Sequence, residues 1–244
     1  MKLDLKEISF TDNNNNIIKQ INLELKSNCI GLLGSNGSGK TTLLKIISGI
    51  IKQSSGSIIL NNIDIKDIPK NKLAKLITYI PQERENVSGF SLYEYVELGR
   101  YPYREIFGAT NEISKQMINY SLESVGLIDR SADMVDILSG GEMQVLRIAR
   151  ALAQDTKTIL FDEPTSNLDL KNSIMVFNII SKLVEKGIQA IISSHDLKLI
   201  NKITNYIVML NKGEVYKFGP KNIIMNTQNL INTYELDYDF KEVL

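Results

Sequence analysis

The chain carries at residues 34–42 the stretch Gly34-Ser35-Asn36-Gly37-Ser38-Gly39-Lys40-Thr41-Thr42, and this stretch decides its fold. It follows an apolar run at 30–33 and opens an amphipathic stretch at 43–47. A buried strand, a glycine-rich loop and a helix in this order are the setting in which G-x-x-x-x-G-K-[ST] cradles phosphate groups. A flexible Gly/Ser linker is the alternative, but a linker needs neither the Lys-Thr pair nor a buried strand just upstream.

The residue types of this loop predict how a phosphate tail is held. Glycines let consecutive backbone N–H groups converge on one point, which side chains would otherwise block. The helix that follows adds its free N–H groups and the positive end of its dipole. We expect Lys40 to reach the β- and γ-phosphates of a nucleotide and the hydroxyl of Thr41 to hold Mg²⁺.

Composition narrows the class of protein. The 244 residues suffice for one large domain or two small ones, and 43% apolar with 23% charged residues is typical of a soluble globular chain. The formal net charge of zero disfavours nucleic acid as a partner. A single cysteine, Cys29, and the absence of a signal peptide indicate a reducing compartment. We expect Cys29 itself to be a small buried apolar residue. No apolar segment approaches the ~20 residues that span a bilayer, so we expect any membrane role to need a partner.

Periodicity predicts an α/β fold. Residues 3–10 and 17–26 alternate as half-buried antiparallel strands, with a polar turn between them. Buried strands are expected at 30–33, 57–60, 77–80, 158–161 and 189–193, and helices at about 40–49 and 170–185. This alternation implies a mostly parallel sheet covered on both faces. A helical pattern from 91 to about 129 interrupts this alternation of strands and helices. We therefore predict that residues 82–150 form an inserted helical subdomain and that residues 1–81 and 151–244 form the core.

Two further motifs complete the predicted chemistry. The buried strand at 158–161 ends in Asp162 and Glu163; we expect Asp162 to contact Mg²⁺, directly or through water, and Glu163 to act as general base. The alternative is a strand that happens to end in solvated acids. The second motif, 138–144, contains Ser139 and Glu142 in the spacing of a capping box, which any helix could use. Its glycines, Gly140 and Gly141, favour a further role as an anion site.

These motifs resemble, in order, those of the ATPase subunits of ATP-binding-cassette (ABC) transporters. The resemblance covers essentially the whole chain and rests on the phosphate loop and on the stretches 138–144, 160–163, 166–169 and 194–196. It implies one ABC ATPase domain over 1–244 with a RecA-like P-loop NTPase fold: a mostly parallel core, an N-terminal antiparallel β subdomain and the inserted helical subdomain with the signature motif. Met143 and Ser194 depart from the usual residues without affecting the expected hydrolysis.

The resemblance also implies roles for residues outside the phosphate loop. Gln82 resembles the glutamine that senses Mg²⁺ and links to the membrane subunits, and Phe10 the aromatic that stacks on adenine. His195, the only histidine, resembles the switch histidine that touches the γ-phosphate, and Asp169 ends a loop that crosses the dimer interface. Three of them have a structural alternative: Gln82 as a surface glutamine, Phe10 as a cover for the core edge, and His195 as a structural histidine. The stretch 211–214 fits a hairpin turn better than a guanine-reading motif.

Finally, the resemblance implies a working assembly. Two copies pair head to tail, and each ATP lies between residues 34–42 of one copy and 139–142 of the other, at the cytoplasmic face of the membrane beside polytopic permease subunits. The stretch 97–103, Glu-Leu-Gly-Arg-Tyr-Pro-Tyr, resembles importers of iron-siderophores, haem and cobalamin, which also use a substrate-binding protein. An ordinary Gly/Pro turn is the alternative reading of that stretch. A soluble single-cassette ATPase of Fe–S cluster assembly is the alternative function.

Overall fold

An antiparallel sheet forms the N-terminal part of this computed structural model, which describes residues 2–82, 87–104 and 111–236. Strands β1 (Leu3–Asp12) and β2 (Asn15–Leu25) form a hairpin, as predicted. Its turn residues Asn13 and Asn14 have φ of 45° and 66°, the left-handed backbone that a tight hairpin turn requires. The sheet is completed by β4 (Ser55–Leu60) and β5 (Ile63–Asp64), in the order β2-β1-β4-β5.

The second sheet is the parallel core. It holds six of the described strands in the order β10-β9-β3-β8-β7-β6. All its neighbours run parallel except β10, which returns antiparallel to β9 at the edge. Its central strands are buried at every residue because helices and the other sheet cover both faces. The bounds are β3 Cys29–Leu33, β6 Ile77–Ile80, β7 Thr158–Asp162, β8 Gln189–Ser193, β9 Tyr206–Asn211 and β10 Glu214–Pro220.

Helices follow the strands of the core and fill the segment between β6 and β7. The α-helices of the described ranges are α1 Lys40–Ile47, α2 Lys70–Leu73, α3 Leu92–Glu97, α4 Glu112–Ser124, α5 Gly140–Ala153, α6 Leu170–Glu185, α7 Leu197–Ile203, α8 Lys221–Ile224 and α9 Thr227–Tyr234. Short 3₁₀ helices lie at Ile65–Asp67, Leu98–Tyr103, Ile128–Arg130 and Val135–Ile137. None of the helices in these ranges is long and apolar enough to cross a bilayer.

Two apolar cores lie on opposite faces of the parallel sheet. One core packs α1 and the antiparallel sheet against side chains such as Leu32 and Leu160. The other packs α3, α4, α5 and α6 against the opposite face, which presents Leu33 and Phe161. Because α5 belongs to this second core and extends past residue 150, the helical segment and the sheet share one hydrophobic interior. The division of the chain at 82 and 150 stays a prediction.

The segment predicted to be helical contains short 3₁₀ helices between its α-helices. Gly99 and Pro102 lie in the 3₁₀ helix Leu98–Tyr103, and a Cβ at Gly99 would come within 2.2 Å of the carbonyl oxygen of Arg150. The stretch is therefore a close contact with α5. Residues 83–86 and 105–110, which belong to the predicted subdomain 82–150, lie outside the described ranges. Cys29 is buried, as predicted, and burial raises the pKa of its thiol to about 12.

Candidate active site

The loop between β3 and α1 depends on glycine for two different reasons. Gly37 and Gly39 have φ of 77° and 101°, a backbone region that L side chains disfavour. At Gly34 the reason is also space, since a Cβ there would lie 2.5 Å from the carbonyl oxygen of Leu210 and from the Oγ of Ser38. The loop thus passes directly against the end of β9 and turns into the helix without room for side chains.

The β9–β10 hairpin fixes this loop from behind. Lys212 and Gly213 form its turn with φ of 47° and 85°, which confirms the hairpin prediction for 211–214. The N–H of Gly213 donates to the carbonyl of Ser38 at 3.2 Å, and its own carbonyl accepts from the N–H of Lys19 at 2.9 Å. One turn therefore joins the loop to the antiparallel sheet.

The helix after the loop begins without a cap of its own. The residue before α1 is Gly39, which has no side chain to cap the helix, and the first turn contains no acidic residue. The ammonium of Lys40 folds back over the loop and donates to the carbonyls of Gly34 at 2.8 Å and Ser35 at 3.1 Å. Burial lowers the pKa of this lysine, against the opposing effect of the nearby carboxylates. Free N–H groups beside a buried cation form an anion site.

Asp162, at the end of β7, is held rigidly by two hydroxyl groups. It is 1% exposed. The Tyr79 hydroxyl donates to its Oδ2 at 2.9 Å and the Ser193 hydroxyl to its Oδ1 at 2.7 Å. Both donors come from strands that flank β7 in the sheet, so the carboxylate is positioned by the strand order itself.

Glu163 is strained and buried. Its φ of 48° is left-handed, which is uncommon for a residue with a side chain and is often found at functional sites. Its N–H donates to the Oγ of Ser193 at 2.9 Å, and its Oε2 accepts from the N–H of His195 at 3.2 Å. Burial raises the pKa of the carboxyl group, the charge of Asp162 adds to this, and Lys40 opposes it.

His195 lies beside this carboxylate as a neutral ring. Its Nε2 is 3.1 Å from the Oε1 of Glu163. Burial lowers the pKa of the imidazole and the charge of Lys40 lowers it further. Because the histidine loses its proton more easily and the carboxyl holds its proton more tightly, the contact at neutral pH is not a strong ion pair. The geometry also leaves Glu163 Oε1 a buried oxygen without a hydrogen bond from any residue in the described ranges.

These residues surround one cavity of about 410 Å³. Its walls include the loop, the start of α1, Glu163 and His195, and Gln82 is exposed at its edge. The structure therefore brings together most of the residues predicted for catalysis and phosphate binding. The lining residues are Ile17, Asn36, Gly37, Gly39, Lys40, Thr41, Thr42, Gln82, Glu163 and His195.

The motif 139–142 lies away from this cavity, at the start of α5. The hydroxyl of Ser139 accepts from the N–H of Glu142 at 3.3 Å, and the Glu142 carboxylate accepts from the N–H of Ser139 at 2.9 Å, which closes the predicted capping box. Arg130 donates to the same carboxylate at 2.5 Å. The hydrogen bonds from Ser139, and then Arg130, lower the pKa of Glu142 to about 2. Gly141 is buried, and a Cβ there would lie 2.5 Å from the side chain of Asn172 on α6.

Two other predicted residues also stand apart from the cavity. Phe10 lies on β1 opposite Ile18 and packs, half-buried, against the core under the antiparallel sheet. The residue of this hairpin that does line the cavity is Ile17, on β2. Asp169 is exposed and caps α6, accepting from the N–H of Asn172 at 2.7 Å. Stacking by Phe10 and interface contact by Asp169 stay predictions.

The residues predicted to hold Mg²⁺ fit a site in which the nucleotide supplies several ligands. No cluster of three or more His, Cys, Asp or Glu suited to a metal occurs in the described part of the chain. Mg²⁺ commonly takes one or two protein oxygens and completes its shell with phosphate oxygens and water. Thr41 offers a hydroxyl at the cavity and Gln82 an amide oxygen. Since both oxygens of Asp162 already accept hydrogen bonds, contact through water suits it best.

Sequence reasoning missed three residues that shape the site. Tyr79 and Ser193 orient Asp162, and Arg130 binds Glu142. For Ser193 a signal existed, because it ends a buried strand as Asp162 does, and the two residues are register partners. Arg130 carried no such signal, since its contact depends on how the 3₁₀ helix Ile128–Arg130 lies against the start of α5.

Fold and site together define a protein that binds a nucleoside triphosphate at a P-loop. The sequence profile of the family described as "ABC transporter" matches residues 18–166. The chain belongs to the ABC transporter family and is an ATP-hydrolysing cassette of it.

Relatives of known type agree with this assignment. The iron(3+)-hydroxamate import ATP-binding protein FhuC of Bacillus subtilis is 33% identical over 91% of this chain and 83% of its own. A solved inward-facing structure of a transporter assigned to the metal-chelate ABC type superposes with a TM-score of 0.84, at 28% identity over 97% of this chain and 90% of that one. A dimeric structure of MJ0796, a bacterial ABC transporter cassette, has a TM-score of 0.78 and 29% identity, over 89% and 98% of the two chains.

Proposed function

We propose that this chain is the ATP-hydrolysing subunit of an importer that takes up a metal chelate: an iron-siderophore, haem or cobalamin. Two observations support the proposal. The cavity at Lys40 unites a phosphate loop with a buried carboxylate, and the similarity to a ferric-hydroxamate import subunit extends over 91% of the chain.

In this proposal the chain acts as a homodimer at the cytoplasmic face of the membrane. It works with polytopic permease subunits and with a substrate-binding protein that delivers the chelate. The site of each chain is incomplete by itself, because none of residues 139–142 lines the cavity at Lys40. Pairing two copies head to tail supplies that segment from the partner, so that ATP joins the two copies.

The proposed chemistry follows from the residues around the cavity. The loop N–H groups and Lys40 bind the β- and γ-phosphates. Thr41 and Gln82, with Asp162 through water, would hold Mg²⁺, which would neutralise charge on the phosphates. Glu163 Oε1 accepts a proton from the attacking water while the oxygen of that water forms a bond to the γ-phosphorus. The bond to ADP breaks, and inorganic phosphate leaves. A raised pKa makes this carboxylate a stronger base than a surface glutamate. His195 holds Glu163 through its backbone N–H, and its ring, which lies 3.1 Å from Glu163 Oε1, would touch the γ-phosphate.

Replacing the base tests this chemistry. We expect Glu163→Gln to lower the rate of ATP hydrolysis by ~10²–10⁴-fold, because the amide cannot accept the proton, while ATP binding persists and a nucleotide-bound dimer accumulates. Turnover and nucleotide affinity would be measured on purified protein, and dimerisation by size-exclusion chromatography with ATP. Glu112→Gln, at an exposed position on α4, is the matched control and should behave as wild type. Near-normal hydrolysis by Glu163→Gln would remove Glu163 as the base.

The transport assignment needs a separate test. Purified from membranes of its host, the chain is expected to bring a polytopic membrane protein with it. ATP hydrolysis by that complex should rise when a binding protein loaded with ferric hydroxamate or another metal chelate is added. Recovery of the active chain without any membrane subunit, but with Fe–S assembly proteins, would instead support the alternative function.

A further inference from the structure

Arg147, on α5, is a buried cation that the mechanism above does not use. It is 2% exposed, and its Nε and Nη2 are buried without a hydrogen-bond partner among the residues that the structure describes. The same fold fully engages another buried arginine: Arg100 donates to the carbonyl of Ala153 at 2.7 Å and to the Ser114 hydroxyl at 3.2 Å. Among the described residues, a buried guanidinium with unpartnered N–H groups is therefore a local exception.

The guanidinium lines a cavity of its own, of about 170 Å³. The cavity lies between α5, Gln82 and the loop that follows Glu163. That loop is shaped by hydrogen bonds from the N–H of Ser166 to the carbonyl of Glu163 and from the N–H of Leu168 to the carbonyl of Thr165. The lining residues are Gln82, Leu138, Gly140, Met143, Gln144, Arg147, Ser166, Asn167 and Leu168.

The lining selects an anion. Apart from Arg147, the polar side chains of the lining are amides and a hydroxyl, all of which can donate hydrogen bonds. In the part of the chain that the structure describes, no carboxylate lines the cavity. Burying guanidinium N–H groups without acceptors is unfavourable, so an acceptor in the cavity would stabilise this arrangement. The planar fork of a guanidinium matches the oxygens of phosphate or carboxylate groups. The volume exceeds the ~30 Å³ share of one water molecule several-fold, so a tetrahedral oxyanion fits.

We propose that this cavity binds inorganic phosphate, with Arg147 as its main ligand. Gln82 lines both this cavity and the one that contains Lys40 and Glu163, so it stands between the two. Phosphate is the product released at that neighbouring cavity, which makes hydrolysis the natural source of the ligand. The source rests on the proposed function; the binding site itself does not.

Direct binding measurements test the site. With the phosphate loop saturated by ADP, equilibrium dialysis of radiolabelled inorganic phosphate should find one site per wild-type chain. We expect Arg147→Gln to weaken that binding at least tenfold and Arg147→Lys, which keeps the charge but loses the fork, to give an intermediate affinity. Lys40→Ala, which is expected to stop hydrolysis, should retain the site. A failure of the hydrolysis proposal is thereby distinguishable from a failure of this one.

Thermal unfolding provides a second readout that does not depend on activity. Phosphate should raise the melting temperature of the ADP-loaded wild type and leave that of Arg147→Met unchanged, since only a ligand of the folded state stabilises it. In phosphate-free buffer Arg147→Met should be at least as stable as wild type, because it removes an unpaired buried charge.

Three results would overturn the proposal. The first is unchanged phosphate binding by Arg147→Gln. The second is unfolding of Arg147→Met in phosphate-free buffer, which would mean that the guanidinium has a structural partner. The third concerns Glu83 and Glu85, which lie outside the described residues. If wild type binds no phosphate but Glu83→Gln or Glu85→Gln does, a carboxylate of the chain itself occupies the cavity.

Discussion

The two segments predicted to contact ATP, 34–42 and 139–142, satisfy their backbone groups in opposite ways. The first leaves the N–H groups at the start of α1 uncapped and holds a buried ammonium against its own carbonyls. The second closes its helix start with a complete capping box and adds an arginine to the carboxylate of that box. Both lie at the start of a helix, but a side-chain cap closes only the second.

This difference indicates which part of the site each segment can supply. A helix start without a side-chain cap is stabilised by a bound anion, so we expect 34–42 to bind phosphate tightly within one chain. The capped segment is stable without a ligand, and its free element is the exposed surface of Ser139 and Gly140. We therefore expect the first segment to dominate affinity and the second to contribute when another copy presents it.

The largest effect should follow from removing the ammonium of the first segment. Lys40→Ala is expected to lower ATP turnover by ~10²–10³-fold or more, since one preorganised donor to a transition-state phosphate has an effect of that size. The matched control is Lys45→Ala, in the same helix, which should keep most of the activity. Steady-state hydrolysis and nucleotide binding would be compared for both variants. Full activity in Lys40→Ala would contradict the proposal that Lys40 binds the phosphates.

A smaller effect should separate the two glycines of the second segment. Gly141→Ala forces a Cβ against Asn172 and should destabilise the protein by ~1–3 kcal/mol. Adding Asn172→Ala should restore both the free energy of unfolding and the ATPase rate, because the role of Gly141 is packing. Gly140→Ala should keep stability but reduce hydrolysis. Denaturant melts and turnover would be measured together; a double variant that regains stability without activity would assign Gly141 to the ligand instead.

The smallest effect concerns the capping carboxylate, and it depends on pH. The pKa of Glu142 is lowered to about 2 in the folded state, so its contribution to stability is present above the unfolded value of 4.5 and is lost as the pH falls toward 2. Glu142→Gln should cost ~1 kcal/mol or less near pH 7, and this difference should shrink on acidification. Unfolding free energies at several pH values would test it. A difference that grows in acid would contradict the assigned contacts.

Much of the fold could be predicted because its signals are local. The buried strands, the N-terminal hairpin and α6, at Leu170–Glu185, each follow from periodicity and from turn residues in the sequence itself. The phosphate loop was recognisable because glycine, lysine and threonine must occur at fixed spacing. The segment after Ser91 was harder, since Gly99 and Pro102 break its helical pattern for a reason that lies in the distant helix α5.

The parts of the site that escaped prediction depend on contacts between distant segments. Ile17 and not Phe10 reaches the cavity, which follows from how the hairpin lies over the loop and not from which residue is aromatic. Tyr79 binds Asp162 across 83 positions of sequence. The Nε and Nη2 of Arg147, which lack partners within the described ranges, are likewise not recognisable in the sequence, where Arg147 is one charged residue in an amphipathic helix.

The turn at Gly213 has a consequence for the order in which this protein is made. Because that turn joins the carbonyl of Ser38 to the N-terminal sheet, the phosphate loop receives part of its support from a segment synthesised long after it. During translation the loop emerges early but stays unsupported until the β9–β10 hairpin leaves the ribosome. A nascent chain stalled before residue 213 should therefore hold ATP poorly, even though every residue of its binding loop is already present.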